Sequence, residues 1–142
     1  MTEEKRLSRA DYRVLSRFRY QIRRFLHFSE EAARAEGLEP QQHQMLLAIE
    51  GAEEGDGPTV GHLAEQLLIR HHSTVGLLDR LEERGLIERV RGEGDRRQVR
   101  VRITAAGAEK LQRLTRLHRD ELRQSGPELV EALRAAMEER EG

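Results

Sequence analysis

The sequence contains no cysteine and no tryptophan. Without thiols there are no disulfides, no thiolate metal sites and no cysteine redox chemistry. Aromatic residues make up 4% of the 142 residues, and all five of them precede residue 29. No apolar run approaches the ~20 residues that a membrane-spanning helix requires. The N-terminus Met1-Thr2-Glu3-Glu4-Lys5-Arg6 has no apolar segment behind it, so no signal peptide is expected and the cytoplasm is the default compartment. Lysine is nearly absent too: 23 of the 25 basic residues are arginine. Arginine forms the bidentate bonds to phosphate and guanine that lysine cannot form. No glycine-rich phosphate loop, Ser-His-Asp spacing or paired carboxylates can be argued, so an enzyme is not expected and no cofactor is called for.

What is present is charge in alternating blocks. The formal net charge is −1, yet residues 1–28 hold eight basic and three acidic side chains, whereas residues 29–58 hold one and eight. Residues 59–103 return to a basic excess, nine against seven. At 37% hydrophobic and 36% charged residues, a chain of this size buries a core most easily as long amphipathic helices, or by sharing apolar surface with a second copy. Leu15, Phe18, Ile22 and Phe25 repeat at helical spacing with Leu26 beside them, and Arg13, Arg17, Arg23 and Arg24 lie on the other face. This predicts a helix from about Ser8 to Glu36, ended by Gly37, with its aromatic stripe facing a partner chain.

The three prolines, Pro40, Pro58 and Pro127, sit where helices are expected to begin. Pro40 opens a helix with Met45, Leu46, Leu47 and Ile49 inward, and Glu50 to Gly57 forms a loop. Thr59 caps a short helix through Gln66, and a turn at Leu68-Ile69 leads to a second, from about Arg70 to Arg84. Its inner face is Thr74, Leu77, Leu78 and Leu81. Two short helices across a tight turn make a helix-turn-helix. After Gly85 the period changes to two. Leu86 to Arg91 and the run Val99, Val101, Ile103 read as an antiparallel hairpin with Gly92 to Arg97 at its tip. Thr104 caps a further helix with Leu111, Leu114, Leu117 and Leu122. A break at Ser125-Gly126-Pro127 precedes a last helix carrying Leu129, Val130, Leu133 and Met137.

The hairpin gives the helix-turn-helix its meaning. Arg96 and Arg97 at the tip, with Arg89, Arg91, Arg100 and Arg102 along the strands, suit the narrow, negative minor groove. The preceding helix is sized for the major groove. In order, Leu78-Asp79-Arg80-Leu81-Glu82-Glu83-Arg84-Gly85-Leu86-Ile87, the Asp95-Arg96-Arg97 tip and Ile103-Thr104-Ala105-Ala106-Gly107 resemble the signature of the MarR family of bacterial transcriptional regulators. The resemblance implies a mainly α fold with a small β-hairpin wing, in which one domain spans 1–142. Residues 8–36 and 105–142 would dimerise, and 38–104 would form a winged helix-turn-helix lobe. It further implies a homodimer that binds an inverted-repeat operator in double-stranded DNA, represses transcription and releases DNA when a small molecule binds.

Carried over by position, Arg97 resembles the wing arginine that enters the minor groove, and Asp95 the carboxylate that orients it. Arg70, His71, His72, Ser73 and Val75 fall where relatives contact bases. Ser73 has the chemistry to hydrogen-bond a base edge, and Val75 to meet a thymine methyl. Arg80 and Arg84 suit phosphates, or alternatively an intrahelical ion pair. The start of this helix, Arg70-His71-His72, and the side-chain-less Gly76 depart from the pattern, so no operator sequence transfers from relatives. Phe25, Phe28, His43 and Met45 are candidates to line an effector pocket. Some relatives sense zinc, but adjacent His71 and His72 point about 100° apart on a helix and do not chelate one ion together. No metal site is assigned. A metal-responsive regulator of the same fold and a winged-helix interaction module without DNA binding are the alternatives.

Overall fold

The computed structural model describes residues 4–53, 55–91 and 98–138. In chain order it contains α1 (Arg9–Ala35), α2 (Pro40–Glu50), α3 (Val60–Leu67), α4 (His71–Glu83), β1 (Ile87–Arg91), β2 (Val99–Ile103) and α5 (Ala105–Met137). The mainly α fold with a two-stranded antiparallel hairpin is as expected. Contacts divide the chain into two units, Met1–Glu31 with Leu117–Gly142, and Ala32–Arg116.

The second unit holds the principal core. Leu38, Met45, Leu46, Leu63, Leu78, Leu81, Ile87, Val101 and Leu114 are essentially inaccessible to solvent and form one cluster with Leu77 and Leu111. Each helix stops for a local reason. Pro40 begins α2, where its missing N–H costs nothing. The Thr59 hydroxyl accepts from His62 N and caps α3. At the end of α4, Gly85 has φ +72°; its N–H reaches the Glu82 carbonyl while Leu86 N–H reaches Leu81, a Schellman stop. The same pair of bonds closes α3, from Leu68 to Glu65 and from Ile69 to Ala64, but here leucine takes the left-handed position, with φ 55°. A branched side chain pays about 1–2 kcal/mol for that conformation, and Leu68 also stands 91% exposed. Thr104 then starts α5, accepting from Gly107 N and donating to the Gly85 carbonyl.

β1 and β2 pair antiparallel from Ile87 opposite Ile103 to Arg91 opposite Val99. A third segment joins them: Val101 N donates to the Pro58 carbonyl and Thr59 bridges to Arg100, so β2 lies between β1 and residues 58–59. Gly57 turns the chain into this position with φ +93°, and any Cβ there would overlap the Val101 carbonyl oxygen.

Two expectations are corrected. Leu47 does not point inward with Met45, Leu46 and Ile49; it is half exposed. The break at Ser125-Gly126-Pro127 does not occur, and α5 runs unbroken through Pro127. Proline inside a helix removes one hydrogen bond and clashes with the preceding residue's Cβ. The preceding residue is Gly126, whose missing Cβ removes that clash; the lost hydrogen bond and the ring's crowding of the Arg123 carbonyl remain as the cost of continuing the helix. Among the described residues there are therefore five helices rather than six.

In the first unit Gln21 and Ala132 are buried, while Tyr12, Leu15, Leu122, Val130, Leu133 and Met137 are exposed to 42% or more. Arg24 pairs with Glu128 at 2.9 Å and His27 with Glu31 at 3.4 Å, both on the surface. Among the described residues no helix is long and apolar enough to cross a membrane.

Candidate nucleic-acid interface

α3 and α4 are packed through Leu63, Ala64, Leu77, Leu78 and Leu81, leaving the first turn of α4 outside the core. Thr74 is buried and its hydroxyl donates to the Arg70 carbonyl, which locks that turn to the capping residue. Arg70, His71, His72 and Ser73 are all exposed, and Val75 and Gly76 are partly so. Arg70 occupies the N-cap in extended conformation without a side-chain acceptor on the helix N–H groups. A helix N-terminus with uncapped donors and the positive end of the helix dipole favours an anion such as a phosphate.

The arginines further along α4 divide by partner. Arg80 is exposed and has no ion pair among the described residues; its guanidinium passes 3.7 Å from where a Cβ of Gly76 would be. Gly76 thereby leaves room beside Arg80. Arg84 donates to Gln42 Oε1 at 3.1 Å, and the same oxygen accepts from Glu39 N at the start of α2. The buried Gln42 thus links the end of α4 to the cap of α2, a connection across 42 residues that helical spacing does not reveal.

On the hairpin, Arg89 Nη2 lies 2.6 Å from Asp79 Oδ1 and 2.9 Å from Glu82 Oε1, and its backbone N donates to Glu82 Oε2 at 3.1 Å. The side-chain hydrogen bond from Arg89 holds the Glu82 carboxyl below its ordinary range, against the desolvation that would raise it. Bonds to Glu82 and then Asp79 raise Arg89 in turn. Arg100 donates to the Gly57 carbonyl at 3.1 Å and to Gln98 at 2.9 Å, whereas Arg91 and Arg102 are exposed. Asp95, Arg96 and Arg97 lie outside the described residues.

The end of α1 is held differently. Arg113 forms a fork on Glu36, at 2.9 and 3.0 Å, and Lys110 Nζ donates to the Glu36 carbonyl at 2.6 Å. The Arg113 hydrogen bond lowers the Glu36 pKa from its usual value.

The proposed effector-lining residues fall into separate units. Phe25 and Phe28 each present an edge-on contact to His118, which also bonds Ser29 at 2.7 Å. His43 and Met45 are buried in the core of the other unit. Among the described residues no group of three or more His, Asp or Glu is placed to hold a metal ion.

Comparison with known proteins agrees with this architecture. The MarR family profile matches residues 36–98. The transcriptional activatory protein BadR of Rhodopseudomonas palustris is 36% identical over 89 residues, which is 62% of this chain and 51% of BadR. The chain thus spans about half the length of that curated relative. Among solved structures, a MarR family protein from Bacillus stearothermophilus superposes with a TM-score of 0.71 at 26% identity, covering 83% of this chain and 80% of that one. The S. aureus MepR-DNA complex superposes at 0.61 with 24% identity, covering 75% and 79%. Residues 36–98 thus match the MarR family, and the helix order and hairpin of the described residues are similar to those of solved structures of that family.

Proposed function

We propose that the protein is a sequence-specific regulator of transcription that binds double-stranded DNA as a homodimer in the cytoplasm. The observation that carries this reading is the exposed, uncapped first turn of α4, with Arg70, His71, His72 and Ser73 on it, held beside a hairpin rich in arginine. In this reading Arg70, His71, His72, Ser73 and Val75 face the major groove, and Arg80 lies toward a phosphate. Arg84, occupied by Gln42, contributes by holding α4 in place. Asp95, Arg96 and Arg97 are assigned to the minor groove by their place in the family signature.

Residues 8–36 and 105–142 act as the dimerisation helices, and 38–104 as the DNA-reading lobe. The exposed apolar side chains of α1 and of the second half of α5 support this assignment, because a soluble chain seldom leaves so much aliphatic surface unpartnered. Repression relieved by a small molecule is the mode we propose. The name of the R. palustris relative favours activation as the second reading.

Selection of bound sites from random DNA fragments tests the proposal. The expected product is an inverted repeat with half-site centres about one helical turn, roughly 10 bp, apart. A single asymmetric site bound by one chain, or no site at all, refutes it. Rescreening the site with candidate ligands then identifies the effector as one that lowers DNA affinity.

A further inference from the structure

Two carboxylates on α4 are out of place on a helix that approaches phosphates. Asp79 and Glu82 are three residues apart and share one face of α4. Charge alone would favour their removal. What they hold instead is Arg89 of β1, whose side chain is 26% exposed and whose guanidinium reaches both, at 2.6 and 2.9 Å. Glu82 also accepts from the Arg89 backbone N–H at 3.1 Å, so main chain and side chain of one strand residue are tied to the helix together. Most surface ion pairs contribute little, because two flexible side chains must be ordered for a single contact. Here one planar group bonds two acceptors of a rigid helix, and the bonded strand is itself fixed by its ladder with β2.

We propose that Arg89 is a positioning residue: it sets the angle between the β1–β2 strand pair and α4, so that both meet DNA as one rigid reader, and makes no DNA contact itself. This inference rests on the DNA-binding reading above. A reader assembled in advance does not lose orientational freedom again on binding. A hairpin free to swing loses it every time, and it registers the helix less accurately on its bases.

The test uses a case in which charge and geometry predict opposite signs. The double variant Asp79→Asn with Glu82→Gln removes two negative charges from α4 and releases Arg89. Electrostatics predicts tighter binding. Positioning predicts binding about tenfold weaker on the selected site, the loss of a charge-assisted contact. It also predicts weaker discrimination among single-base variants of the site, which a uniform loss of folded protein would not produce. Arg89→Lys keeps the charge but cannot fork onto two carboxylates, and it should lose affinity and discrimination similarly. Binding isotherms at several salt concentrations, with melting curves for each variant, read both. If the double variant melts below the assay temperature, Arg89→Lys decides the question. Wild-type affinity and discrimination in Arg89→Lys, or tighter binding by a folded double variant, overturn the positioning role alone. If the wild-type protein selects no site, that role and the DNA-binding reading fall together.

Discussion

Alanine substitution at four glycines separates backbone strain from steric overlap, because the chain offers each alone, both together and neither. At Gly61, within α3, a Cβ meets nothing within 4 Å. Alanine there should stabilise by up to about 1 kcal/mol, the difference in helix propensity. At Gly85 the space is also open but φ is +72°. A left-handed alanine costs about 1–2 kcal/mol, partly offset by the about 0.4–1 kcal/mol that alanine removes from the entropy of the unfolded chain. The net loss is about 1 kcal/mol. At Gly107 the new Cβ overlaps the Leu86 carbonyl oxygen and lies 2.7 Å from Ile103 Cγ1. A backbone oxygen cannot rotate aside, so the propensity gain is overridden and a loss of about 1–3 kcal/mol is expected, as for overpacked sites. Gly57 combines a φ of +93° with overlap on the Val101 carbonyl oxygen. Strain and overpacking together give about 2–4 kcal/mol. Urea unfolding at matched protein concentration should therefore order the variants Gly61→Ala above wild type, then Gly85→Ala, Gly107→Ala and Gly57→Ala. If Gly57→Ala or Gly107→Ala is as stable as wild type, those close approaches do not exist in solution and the account of the hairpin junction is wrong.

Three other outcomes are expected. Charged residues at Phe18 and Ile22 together should weaken or abolish the dimer, as read by sedimentation at micromolar concentration; an intact dimer would exclude the first helix from the interface. Arg97→Ala should weaken binding to many sequences at once and reduce the slope of log affinity against log salt by about 0.9. Ser73→Ala should leave that slope unchanged and relax one position per half-site by about 1–3 kcal/mol; identical behaviour of the two variants would refute the division of roles. Finally, Glu36 and Glu82 have folded-state pKa values below their usual 4.5. The stability they contribute is complete above that value and is lost as pH falls through the lower, folded values. The urea midpoint should drop in that acidic range, and less so in the Glu36→Gln, Glu82→Gln double variant; equal drops would show that these pairs do not matter.

The helices were legible because their apolar residues recur at helical spacing and their ends bear cap residues such as Thr59, Thr104 and Gly85. The inner face of α4 could be named in full, since Thr74, Leu77, Leu78 and Leu81 are its regularly spaced small and apolar residues. Leu47 was misread because the run of five apolar residues from Met45 to Ile49 covers more than one face, and only packing against α3 and α4 selects among them. Pro127 was read as a stop because proline usually ends a helix, and Gly126 before it removes one of the clashes that enforce the stop. Residues 58–59 escaped notice as a strand, being too short for any period. The first turn of α4 was singled out by the family resemblance, but the partners of Arg84 and Arg89 could not be: Gln42 is 42 residues away in sequence, and a strand arginine has many carboxylates within reach of an extended chain.

The pairing of Pro58 and Thr59 with β2 has a consequence for solubility. A two-stranded ribbon has two rows of unsatisfied backbone groups, and each invites pairing with a strand from another molecule. Here one of those rows is closed by the chain's own residues, through Val101 N–H on the Pro58 carbonyl and the Thr59–Arg100 bridge. On the outer side of β1 the Arg89 N–H is taken by the Glu82 carboxylate, and β1 reads Ile87-Glu88-Arg89-Val90-Arg91, with three charged side chains in five positions. Charge of both signs on so short a strand is a poor template for a neighbour. The β1–β2 pair therefore does little to draw one molecule onto the next.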